Sequence, residues 1–281
     1  MLIDLHAHTT ASDGTQSPHE LVAEAAARGL DVLGLTDHDT TAGWAEGAAA
    51  ARQNGIMLVP GIEMSCRHQG ISIHLLGYLH DPRYPPLVRA LAAARDSRQA
   101  RAERIVAALG RDVPLTMADV RGQASPGATL GRPHIADAMV ARGIVGTRDE
   151  AFRDYLSTGS PYYARYQAPE VIEAVRLITE AGGVPVMAHP FASSRGPLVS
   201  DGVIEAMADA GLAGLEAYHV DHNARQTAHA LDLASSLGLF VTGSSDYHGA
   251  GKATALAAHW TDPGVLEQIE GDGRATPVVR P

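Results

Sequence analysis

The stretch 2–14, LIDLHAHTTASDG, sets two histidines, His6 and His8, at the end of a short apolar run. Leu2–His8 reads as a β-strand, and alternate side chains of a strand share one face. Two imidazoles so placed suit one metal ion, and Asp13 follows in the adjoining loop. The arrangement recurs down the chain. Val32–Thr36 runs into Asp37 and His38, Met57–Glu63 ends on Glu63, and Ile71–Tyr78 carries His74. Val184–Ala188 leads to His189, and Leu239–Ser244 leads to Asp246 and His248; Leu215–His219 is the remaining strand. Sites of α/β folds and barrels form at the carboxyl ends of strands. One strand-end histidine alone is more often a hydrogen-bonded structural residue. The repetition at successive strand ends favours a metal centre over that reading.

Between the strands lie helix patterns. Ser17-Pro18-His19-Glu20 is a capping box with proline in the first turn, and Gly29 ends that helix. Segments 41–54, 169–181, 202–210, 222–237 and 263–270 read the same way. Strand–helix alternation with nearly continuous apolar strands predicts a parallel α/β sheet or barrel. Residues 83–175 break the rhythm with helical patterns at 90–109, 133–142 and 148–156. The expected organisation is a barrel from 1–82 and 176–281, with 83–175 an all-helical insertion over the site. The connection from Glu63 to His74 is too short for a parallel crossover, so strands three and four should form an antiparallel hairpin. A His68-Gln69 turn would put Glu63 directly opposite His74.

Composition narrows the function. The 281 residues are 45% hydrophobic and 19% charged, an ordinary globular balance. The one cysteine, Cys66, excludes an internal disulfide and a cysteine-based zinc site. The start lacks the basic region and apolar core of a signal peptide, and no apolar run reaches a membrane span. A cytoplasmic protein is expected. A net charge of −10 disfavours binding along duplex DNA. Within this acidic chain, residues 83–111 are locally basic. Arg95, Arg98, Arg101 and Arg104 form a helical stripe there, which reads as a solvated face or as a wall for a polyanion.

The motifs D-L-H-A-H-T, L-T-D-H-D-T, G-I-E, H-L-L-G-Y, A-H-P and S-D-Y-H-G resemble, in order, those of the PHP (polymerase and histidinol phosphatase) family. That resemblance implies a distorted seven-stranded β/α barrel and metal-dependent phosphoester hydrolysis. Leu130–Ala136, L-G-R-P-H-I-A, is similar to the stand-alone phosphoesterase branch, which includes 3′,5′-nucleoside bisphosphate phosphatases and a 5′-to-3′ exoribonuclease on short RNA. Carried over, it implies three divalent ions. His6, His8, Glu63 and Asp246 would hold the first. Glu63 would bridge to the second, with His74 and His189. Asp13, His38 and His248 would hold the third. Asp13, His38, Glu63, Asp246 and His248 would carry the catalytic chemistry.

Imidazole and carboxylate ligands without thiolate suit Mn, Fe or Zn. Such ions activate water and clamp the oxygens of an in-line displacement. Arg132 and His134, with Arg98 and Arg101, are the candidates for binding substrate phosphate, since guanidinium matches phosphate geometry. The expected substrate is a small phosphorylated nucleotide, first a nucleoside 3′,5′-bisphosphate losing its 3′-phosphate, with short 5′-phosphorylated RNA as the rival. Amide or lactone hydrolysis and a non-catalytic metal-binding regulator are the readings from other classes.

Overall fold

The computed structural model describes residues 1–281. Seven strands pair in sequence order: β1 (Ile3–Asp4), β2 (Val32–Leu35), β3 (Met57–His68), β4 (Ile71–Tyr78), β5 (Val184–Met187), β6 (Gly214–Tyr218) and β7 (Phe240–Gly243). β1, β2 and β3 are parallel, as are β5, β6 and β7, whereas β4 runs against both its neighbours. A bridge between Ala7 and Tyr247 and a bond from Thr261 N to Ile3 O (2.9 Å) bring the last strand's side back to the first. The sheet is a nearly closed barrel.

Helices α1 (Pro18–Ala27) and α2 (Trp44–Asn54) connect the first three strands. The capping box forms as expected: Ser17 Oγ accepts from Glu20 N and Glu20 Oε2 accepts from Ser17 N. Beyond β4 come α3 (Pro85–Leu109), α4 (Met117–Arg121), α5 (Arg132–Ala141) and α6 (Arg148–Ala151), which runs into a π-helical turn at Phe152–Leu156. Then follow α7 (Val171–Glu180), α8 (Asp201–Asp209), α9 (Ala224–Leu237) and α10 (Pro263–Asp272).

Two of the four apolar clusters bear on how the chain divides. Ile62, Met64 and Leu75 of the sheet pack with Val171, Val175 and Ile178 of α7. Ile105 and Leu109 of α3 pack instead with Ile135, Met139 and Leu156. Fully burying each such side chain contributes roughly 1.5–3 kcal/mol. The first half of α3, with Leu87 and Leu91, belongs to the barrel core. A boundary at 175/176 therefore falls inside α7, a barrel helix, and the excursion with a core of its own begins midway along α3.

The strands differ from expectation where side chains capture main-chain groups. β1 covers only Ile3–Asp4, because Asp4 Oδ1 accepts from His6 N (3.3 Å) and Thr36 Oγ1 accepts from Ala7 N (3.1 Å). β3 runs past Glu63 to His68 into the expected antiparallel hairpin with β4. Its turn is Gln69-Gly70, with φ of 47° and 86°, the signature of a type I′ turn. The register therefore moves by two residues: Ser65 pairs with His74, and Glu63 with Leu76. A shift of two, unlike a shift of one, keeps each side chain on its face.

Candidate metal centre

The carboxyl ends of the parallel strands and the middle of β4 deliver their side chains to one buried point. Nε2 of His6 and Nε2 of His8 lie 3.1 Å apart. Around them sit Glu63 Oε2, at 3.3 and 3.1 Å, and Asp246 Oδ1, at 3.4 and 3.2 Å. His8, Asp13, His38 and His248 form a second group, and His38, Glu63 and His74 a third. Within each group the ligand atoms lie within 4.8 Å of one another. His189 Nε2 approaches Glu63 Oε1 at 3.1 Å, as expected for a residue sharing that carboxylate. All nine sequence candidates thus converge. The premise for His6 and His8 needs correcting: they lie beyond the regular strand, and the local loop sets them together.

The donor set fits divalent cations. Asp13 Oδ1 and His38 Nδ1 are buried without a hydrogen-bond partner. Two imidazole nitrogens facing each other among carboxylate oxygens are held there by a proton or by a metal cation. Burial alone would push His6 and His8 down, but the surrounding carboxylates win. Glu216, Glu63 and Asp246 hold His6 well above its ordinary value, and Asp246 and Glu63 help lift His8 to about 9. The field that retains those protons attracts a divalent ion in their place. Burial, reinforced by Arg195, depresses His189 to about 3, and burial, reinforced by Lys252, depresses His248 to about 4. Both rings are thereby kept neutral, as ligation requires.

Three buried carboxylates hold the ligands in place. Glu216, on β6, accepts from His189 N through Oε2 (2.9 Å), and its Oε1 lies 2.9 Å from His6 Nδ1. Burial would raise Glu216, but His6 draws it down to about 2. A carboxylate behind a metal-binding histidine fixes its tautomer and orientation. The bond to His189 N also secures a residue at φ of 31°, a conformation unfavourable for a side chain. Asp37 braces the loop after β1, taking bonds from Thr9 and Ser12. Asp4 grips Ser245 beside Asp246. Nothing in the sequence distinguishes Glu216 from any polar residue on a strand.

The arginine stripe is solvated only in part: Arg104 is exposed and Arg95 half-buried. Arg98 and Arg101 are each 8% exposed. Arg98 Nε bonds Asp39 Oδ2 and Ser65 Oγ, both at 2.9 Å, so its charge is paired. Arg101 bonds Ala164 O (2.8 Å) and lies 5.1 Å from the ring centres of Tyr163 and Tyr166. Arg132 bonds Leu156 O (2.8 Å) and lies 5.4 Å from the Phe152 ring. Neither Arg101 nor Arg132 has a carboxylate partner. Burial, then repulsion from Arg132, pushes Arg101 down to about 10. This cluster adjoins the metal centre: a Cβ on Gly131 would lie 3.6 Å from Asp13 Oδ2 and 3.7 Å from an Arg98 nitrogen.

His134 is engaged within the protein. Its Nδ1 accepts from Gly131 N (3.1 Å), closing the first turn of α5, and the ring bonds the Ser12 main chain. These bonds anchor the start of α5.

A groove of about 1050 Å³ opens beside Asp13. Asp13, Asp137, Asp149 and Asp221 line it against Arg148, Arg195 and Lys252, with no Phe, Tyr or Trp. No helix is long and apolar enough to cross a membrane.

Comparison with known proteins agrees with this geometry. The PHP domain family model matches residues 4–112. A 3′,5′-nucleoside bisphosphate phosphatase from Chromobacterium violaceum is 34% identical over 262 residues, 92% of this chain and 92% of that protein. A 5′-3′ exoribonuclease from Haemophilus influenzae is 36% identical over 189 residues, 67% of this chain and 68% of its own. A crystal structure from Bifidobacterium adolescentis, named as a candidate metal-dependent phosphoesterase, superposes with a TM-score of 0.94 at 39% identity, covering 97% of this chain and 96% of that one.

Proposed function

The chain belongs to the PHP family of metal-dependent phosphoesterases, and from that premise we propose that it removes the 3′-phosphate of nucleoside 3′,5′-bisphosphates, leaving nucleoside 5′-monophosphates. The observation that carries this reading is the pair Arg101, buried, and Arg132, half-buried, two cations without carboxylate partners beside the metal centre. Buried like charges repel at a cost, and an anion bound between them offsets it. A substrate with one phosphate at the metals and a second phosphate within reach of the arginines meets both requirements.

Three donor groups suit three ions, and Mn, Fe and Zn all accept imidazole with carboxylate. When bound there, such ions supply an activated water and clamp the attacking and leaving oxygens. The protein's own part is positioning. Glu63, Asp246, Asp13 and the six histidines would fix the ions. Arg101 and Arg132 would hold the 5′-phosphate, with Arg98 bracing Ser65 two residues beyond Glu63. Held at both ends, the substrate reacts from one geometry, and the entropy of orientation is met on binding.

The exoribonuclease-like relative keeps short 5′-phosphorylated RNA as the second reading. The groove supports it less, because its four acids outnumber its three basic side chains and it offers no aromatic platform for bases. Turnover of Mn-loaded protein on adenosine 3′,5′-bisphosphate, a 5′-phosphorylated trinucleotide, histidinol phosphate and an N-acyl amino acid tests the assignment. Adenosine 5′-monophosphate and phosphate as the preferred products support it. Preference for the trinucleotide moves the enzyme to RNA, and amide hydrolysis without phosphate release moves it to another class.

A further inference from the structure

His219 follows β6 at the edge of the metal centre and is 1% exposed. Its Nδ1 accepts from Asp221 N (3.0 Å). A neutral imidazole that accepts at Nδ1 carries its hydrogen at Nε2. That Nε2 is buried and has no hydrogen-bond partner. The nearest carboxylate oxygen, Asp246 Oδ2, lies 3.5 Å away and already takes bonds from Arg195 Nη2 (2.6 Å) and Lys252 Nζ (2.8 Å). The His219 ring stands 5.2 Å, centre to centre, from that of His189. The free N–H therefore sits between two residues of the metal centre, with the acceptors around it already used.

A buried donor left without an acceptor is costly, and a donor beside a phosphoryl site has a natural partner. The tautomer also bars His219 from ligating a metal, because its inward nitrogen holds a hydrogen in place of a lone pair. We propose that His219 donates its Nε2–H to a non-bridging oxygen of the phosphoryl group held at the metal centre and is not a metal ligand. The inference rests on the phosphoesterase reading but not on the identity of the nucleotide. Arg195 and Lys252 hold Asp246 from the groove side, so His219 approaches the phosphoryl group from the β6 side.

Three measurements test it, with inorganic phosphate as the probe. In zinc-loaded wild-type protein, nitrogen NMR of the histidine rings is expected to show His219 as the Nε2–H tautomer, with that proton moving downfield as phosphate is added. An Nδ1–H tautomer, or a proton indifferent to phosphate, overturns the proposal, and neither result depends on a variant folding. His219→Leu is expected to keep wild-type metal content while weakening phosphate binding and kcat/KM by roughly 10- to 100-fold, the range for a bond to a charged group. His219→Gln, which retains an N–H, is expected to recover most of that loss. Loss of metal from His219→Leu would make His219 a ligand, and full metal with unchanged phosphate binding would make it structural. A wrong nucleotide assignment would alter the substrate panel and leave these readings untouched.

Discussion

His74 Nδ1 lies 2.8 Å from Glu63 Oε1, although neither residue is the other's strand partner. They meet diagonally across the β3–β4 hairpin. Glu63 thereby serves both sides of the site: Oε1 faces His74 and His189, and Oε2 faces His6, His8 and His38. Glu63→Gln keeps the shape and removes the charge. Metal affinity is expected to fall more than about 100-fold, beyond the usual effect of losing a group behind a ligand. Metal analysis after dialysis checks this; full occupancy would contradict the central place given to Glu63.

Glu216 acts one layer further out. Glu216→Gln is expected to lower metal affinity roughly 10- to 100-fold while leaving the fold intact, since the amide oxygen still accepts from His189 N. Isothermal titration with zinc, alongside thermal melts, separates this from general destabilisation. A variant that melts early but binds zinc normally would assign Glu216 to stability alone.

Arg132→Ala is expected to raise KM for adenosine 3′,5′-bisphosphate roughly 10- to 100-fold, the range for a lost charged hydrogen bond, with kcat little changed. Turnover of an aryl phosphate, which has no second phosphate, should barely change. Equal losses on both substrates would place Arg132 in the support of the metal centre. Arg101→Met should also raise the melting temperature, because it removes a buried cation repelled by Arg132.

The hairpin turn supplies a stability test. Gly70 stands at φ of 86°, and a Cβ there would meet nothing closer than an Arg165 nitrogen at 3.8 Å, so only the backbone resists substitution. Gly70→Ala is expected to cost about 1 kcal/mol, read from urea unfolding. No loss would mean that the turn tolerates a different conformation.

His80 gives a pH dependence away from the ligands. It is fully buried, its Nδ1 donates to Gly77 O (3.1 Å), and Nε2 has no partner. Burial holds it down to about 4, against 6.5 in an exposed ring. The unfolded chain therefore takes up this proton near 6.5 and the folded chain only near 4. The contribution to stability is complete above 6.5 and is lost as pH falls from 6.5 to 4, by about 3 kcal/mol. Relative to wild type, His80→Gln should lose that much less stability across the interval. Parallel urea-unfolding profiles for the two proteins would refute the assignment.

What the sequence revealed depended on how each residue type declares itself. Histidines and acids at strand ends stood out because apolar strands frame them, so a metal centre on an α/β sheet or barrel was legible; the set of nine ligands and the distorted barrel came from the family resemblance. Glu216 sits within a strand and looks like any polar residue facing outward. The solvated-face reading of Arg98 failed because its partners, Asp39 and Ser65, lie far away in sequence. The hairpin was predictable from loop length. Its register was not, because Gly70, which lowers the strain of the turn, lay one residue beyond the assumed corner. α4 was missed altogether, since five residues carry little periodicity.

The reversed direction of β4 reaches beyond His74. A strand running against its neighbours ends at the floor of the barrel, opposite the metals. The chain must climb back, and α3, 25 residues and roughly 37 Å long, makes that ascent along the wall. The excursion at 110–168 then lies over the metal side, and α7 carries the chain down into β5. All nine candidate ligands lie outside that excursion, and no strand pairing enters it. The architecture therefore behaves like a tool with an interchangeable head. A substitution confined to 110–168 removes no candidate ligand.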